Sequence, residues 1–133
     1  MKVTELIGPL LDYWVARATR IEDVVSIQKS VLGVEACYLL DTEDNTWRLF
    51  CPSVRWADGG PIIARFAIAI WRGEGRWLAI LPGSNGGAYS GGDDYIDARG
   101  YDCYAGATPL IAAMRAYVAS KFGESVDDSE TQR

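Results

Sequence analysis

Four neighbouring pairs of tryptophan and arginine, Trp47-Arg48, Arg55-Trp56, Trp71-Arg72 and Arg76-Trp77, form the pattern in this chain best suited to gripping a polymer. An indole can stack on any exposed base while a guanidinium neutralises a phosphate, the usual means of holding single-stranded nucleic acid. The plainer reading is that neighbouring residues of a strand point to opposite sides, so a covered tryptophan beside a solvated arginine is ordinary in a sheet. The charge favours the plainer reading. At a net charge of −5, with its 13 basic residues scattered, the chain offers little to a polyanion. A second constellation is acidic: Asp93, Asp94 and Asp97 lie close together among glycines, and carboxylate oxygens are what hard cations take. The spacing is not that of an EF-hand, and such ions need about six or more oxygens, so a solvated acidic loop is the simpler account and no metal is expected. A third is Asp58-Gly59-Gly60-Pro61, which could aim backbone amides at an anion where a helix starts, although a glycine pair before proline is also common turn punctuation.

The absent residue type matters as much. There is no histidine, which removes Ser–His–Asp and Cys–His nucleophile systems and imidazole metal sites. Cys37, Cys51 and Cys103 are odd in number and have no adjacent base, so reduced, packing thiols are expected. No catalytic residue and no cofactor is assigned. The residues proposed for binding are Trp56, Asp58, Gly59 and Gly60 in the central segment, and Tyr89, Asp93, Asp94 and Tyr95 in a stretch whose Tyr, Ser, Gly, Asn and Asp mixture resembles adaptable, paratope-like loops.

The elements that must position these residues begin with the helix expected over residues 108–123. Thr108 can cap it, Pro109 suits its first turn and Gly123 its end. Leu110, Ile111, Met114, Tyr117, Val118 and Phe122 form its apolar stripe, with small alanines behind, so it should be mostly buried, with Arg115 snorkelling from its border. A second amphipathic helix is expected over 9–18 on Leu10, Leu11, Trp14, Val15 and Ala18. Residues 21–32 keep helical spacing with Gly33 as a stop, against a competing strand over 24–27; helix is favoured. Strands over 34–40 and 46–51 make one hairpin. After a loop over 54–60 and a short helical turn near Ile62, strands over 66–71 and 76–81 make another, closed by a three-residue loop Gly73-Glu74-Gly75 that sets Trp71 opposite Trp77 and Ala69 opposite Ala79. Residues 83–106, rich in glycine and tyrosine, read as a long surface loop. The expected fold is therefore α+β: a small antiparallel sheet of two hairpins packed with N-terminal and C-terminal helices, as one domain over residues 1–123 with an acidic flexible tail over 124–133.

Two segments, WADGGPII over 56–63 and TPLIAAMRAYVASKFG over 108–123 followed by Val126 and Asp127, together with the opening TELIGPLLDYWVARA, resemble the NinX-like family of short phage and prophage proteins. The resemblance implies a phage accessory role and no particular reaction. With no apolar run long enough for a membrane span and no secretory leader pattern, the expected place is the cytoplasm of a bacterial host and the expected partner a host or phage protein, with nucleic acid and membrane not expected. Two other classes are defined well enough to test. A carboxylate or metal-dependent enzyme would need a pocket of converging acids near Asp58 or Asp93, and a single-stranded nucleic-acid binder would need Trp56, Trp71 and Trp77 exposed on one face.

Overall fold

The computed structural model describes residues 1–19, 24–82, 88–89, 96–97 and 103–127. Its centre is the C-terminal helix α3 (Pro109–Phe122). Thr108 caps it as expected, accepting the Ile111 N–H on its hydroxyl at 3.2 Å, and Gly123 closes it. The burial goes beyond one stripe: Met114, Val118, Ala112, Ala113 and Ala116 are all fully buried. A helix enclosed on every side needs small residues wherever a neighbour approaches closely, which explains the alanine-rich back.

Helix α1 (Gly8–Thr19) packs against α3 with Leu11, Trp14 and Val15 inside. Its other neighbours are two strands of the first sheet, β1 (Val25–Lys29) and β2 (Glu35–Asp41), which with β3 (Thr46–Leu49) form an antiparallel sheet in that order. Here, over the described residues 24–32, the helix favoured over 21–32 gives way to a strand, residues 21–23 lying outside the described ones. Ile27 pairs with Cys37 and Val25 with Leu39, so β-branched side chains at every second position reach the core, while Val31 and Leu32, which the helical spacing relied on, sit exposed in the turn.

Helix α2 (Trp56–Phe66) occupies what the glycine pair and Pro61 suggested was a loop followed by one helical turn. Tertiary packing of Gly59 and Ile62 overrides the poor local propensity. The second sheet is β4 (Ala69–Gly73), β5 (Arg76–Ile80) and β8 (Tyr104–Gly106), in that order, with a short separate pair β6 (Ala88–Tyr89) and β7 (Ile96–Asp97) in between along the chain. The turn joining β4 and β5 has two residues, not three. Glu74 and Gly75 both take positive φ, the mirror-image turn that matches strand twist, and this shifts the register by one: Trp71 lies opposite Leu78, Arg72 opposite Trp77 and Ala69 opposite Ile80. The stretch read as one long loop also supplies β8, whose Tyr104 and Gly106 are buried against α3. Three residues are too short to show a period.

The fold is thus α+β with helices flanking two small antiparallel sheets. For residues 124–126 the expected fraying gives way to docking. Val3 N–H donates to Glu124 O at 2.9 Å, Val126 N–H donates to Met1 O at 2.9 Å, and Val126 is buried. Among the described residues no helix is long and apolar enough to cross a membrane.

Candidate functional site

Buried polar groups gather where the first sheet leads into α2. Phe50 N–H donates to Cys37 O at 2.9 Å, and Cys51, Pro52 and Ser53 then form a buried turn in which Val54 and Arg55 both donate to Cys51 O, at 3.1 and 2.8 Å. A turn removed from water strands its own N–H groups unless side chains meet them. Two carboxylates do so. Asp12 Oδ1, from α1, accepts the Ser53 N–H at 2.8 Å, and Asp58 Oδ2, from α2, accepts the Cys51 N–H at 2.9 Å. Gly59 completes the seat: a Cβ there would lie 2.5 Å from Pro52 O and 2.7 Å from Leu110 Cδ2, so only glycine lets α2 come this close to the turn.

Asp12 is only 3% exposed. Burial pushes its carboxyl up to about 6, the Ser53 N–H and hydroxyl favour the charged form, and the nearby Asp58 charge opposes it. The Ser53 Oγ lies close enough to help in this way yet is itself buried without a partner of hydrogen-bonding geometry. The same surroundings act on the thiols. Burial raises Cys37 and Cys51, and the Asp12 carboxylate raises both further, so they stay protonated and are poor nucleophiles.

Beside this seat two apolar side chains are exposed. Val54 is 66% exposed and Trp56 56%, with Arg55 between them reaching Asp58 Oδ2 only at 4.0 Å. The central residues singled out from the sequence are brought together here, in different jobs: Trp56 faces solvent, Asp58 and Gly59 hold the backbone, and a Cβ added at Gly60 would meet the Trp56 ring at 3.9 Å. The Asp58 and Gly59 N–H groups, considered above for an anion, donate within the helix to Arg55 O, at 3.1 and 2.9 Å. Tyr89 contributes backbone to the β6–β7 pair, while its side chain and all of Asp93, Asp94 and Tyr95 lie outside the described residues. Among the described residues no group of three or more acids and thiols is placed to hold a metal ion.

The tryptophans do not form one platform. Trp71 and Trp77 are half-buried on opposite faces of the β4–β5 hairpin, and Arg72 packs over the Trp77 ring at 5.7 Å. Arg115 does more than snorkel: it donates to Leu6 O at 2.9 Å and Ala105 O at 2.8 Å, tying α3 to the N-terminal segment and β8, and burial lowers its pKa. Sequence reasoning missed Asp12 and Ser53. The available signal was an acid on the buried face of α1 beside Leu11 and Val15. A separate hollow of about 300 Å³ is lined by Lys2, Thr4, Cys103, Tyr104, Glu124 and Ser125, away from these residues.

Compared with known proteins, residues 2–121 match the family described as Bacteriophage P22, NinX. No curated protein matches the chain.

Proposed function

The chain belongs to the NinX family of bacteriophage P22, and from that premise we propose that this phage accessory protein works by binding a host or phage protein through the ledge at Val54 and Trp56, without catalysis. The observation that carries the reading is an indole left more than half exposed on backbone that is pinned on three sides, by Asp12, by Asp58 and by the Gly59 contact with Pro52. A large rigid aromatic whose ordering cost is already met within the fold is the kind of anchor that dominates protein interfaces. The protonated thiols weigh against covalent chemistry at the same place, and the opposed faces of Trp71 and Trp77 weigh against a stacking track for nucleic acid.

The test is a photo-crosslinker at position 56 in infected host cells, read beside Trp56→Ala. One dominant crosslinked protein is expected, with purified Trp56→Ala losing at least tenfold in affinity for it while its Tm stays within about 2 °C, as a surface change should. Crosslinking to no protein, or salt-sensitive quenching of the tryptophans by single-stranded DNA, would overturn the proposal, the second in favour of nucleic-acid binding.

A further inference from the structure

We propose that the Asp12 seat is a proton-operated latch: the closed turn is the proton-holding form, and loss of the Asp12 proton biases residues 51–56 to lift from α1 and changes how Trp56 is presented. This rests on the reading of Trp56 as the binding residue and adds its regulation. The geometry begins with isolation. Asp12 is enclosed, it accepts the Ser53 N–H at 2.8 Å, and among the described residues no lysine or arginine pairs with it. A buried carboxylate without a cation is costly, and the structure can relieve it either by keeping the proton or by letting water in.

The surroundings favour both routes at this one place. The titratable groups that act on Asp12 are Asp58 from α2, Cys37 from β2 and Cys51 from the turn, all anionic or neutral, and Arg55 reaches only as far as Asp58, at 4.0 Å. On the other side of α1, α3 brings Arg115, committed to Leu6 O and Ala105 O, and Lys121, held over the Phe66 and Tyr117 rings; Tyr117 stacks on Phe66, and β1 brings the exposed Lys29. None supplies a counter-charge. The segment that would lift is short: residues 51–55 form a turn, buried at Cys51, Pro52 and Ser53, with exposed Val54 and Arg55 leading straight to Trp56.

The sign follows from linkage. A group whose proton is held more tightly when buried stabilises the buried form increasingly as pH falls, so closure should strengthen from about pH 6 down to about pH 4 and be constant above that window. Taking the ordinary value of 3.8 for the lifted state, the closed-to-lifted ratio changes by up to about a hundred-fold. The experiment is amide hydrogen exchange by NMR on the free protein, with protection factors corrected for intrinsic exchange. Ser53 and Cys51 are expected to exchange at pH 7 through a local opening that low urea does not affect, with less protection than Met114. Their protection should rise tens of fold or more by pH 4, and the Trp56 indole N–H resonance should shift over the same range. Asp12→Asn should make both flat. The latch is overturned if Ser53 exchanges no faster than Met114 at pH 7, if its protection does not change with pH, or if Asp12→Asn keeps the wild-type profile. Because no partner is present, these outcomes are independent of whether Trp56→Ala loses binding.

Discussion

Asp12 shows how one residue can oppose the stability of the fold that encloses it. Its carboxyl is pushed up to about 6 from an ordinary 3.8, so between those values the folded chain binds more protons than the unfolded one, and stability falls as pH rises through the window. Above about pH 6 the cost is of order 2–3 kcal/mol relative to an unshifted acid. Asp12→Asn, which keeps an oxygen for the Ser53 N–H and adds a donor that can meet the Ser53 Oγ, should therefore raise unfolding stability at pH 7 by about 1–3 kcal/mol and change it little at pH 4. Urea denaturation at the two pH values checks this, and a loss at pH 7 would mean that the charged carboxylate is what holds the turn. The one local signal, an acid on the buried face of α1, does not say what it holds. Asp12 sits in a helix whose caps and period were readable, but its importance comes from a turn 41 positions away, and such pairings have no local pattern.

At the scale of elements, what was legible followed strong periods and punctuation, as in α1 and α3, where apolar spacing, Thr108 and Gly123 agree. The misreadings occurred where packing overruled propensity. Residues 56–60 read as a loop because Gly59, Gly60 and Pro61 are poor helix formers, yet α2 forms because Gly59 is the residue that fits against Pro52. Gly59→Ala thus separates the two accounts: local propensity predicts a gain of up to about 1 kcal/mol, and the packing predicts a loss of about 1–3 kcal/mol. The loss is expected, because the nearest atom is a backbone oxygen that cannot swing aside. Circular dichroism and thermal melts give the answer, and a stabilised variant would show that α2 does not rest on the turn. The register of β4 and β5 turned on a similarly small matter, whether Gly73 belongs to the strand or to the turn.

Across the whole molecule, the chain's early and late segments are joined. Residues 1–3 pair with residues 124–126, with Lys2 bridged to Ser125 and Val126 buried at 6% exposure. Val126→Asp should destabilise by about 2–4 kcal/mol through lost burial and an unpaired buried charge, which an equilibrium melt would detect; a change under about half a kcal/mol would mean that this strap adds nothing to the core. α3, which packs on α1, α2 and the second sheet, has a different consequence, in time. Among the described residues the ribosome delivers every other helix and strand before it, so the chain carries Leu11, Trp14 and Ile80 without their covering helix until residue 122 clears the exit tunnel. At roughly 5–20 residues per second, that is several seconds of exposed apolar surface for each molecule made. The core accordingly closes only once α3 has emerged, and the folding yield in a crowded cell depends on how quickly this late-made helix finds its place.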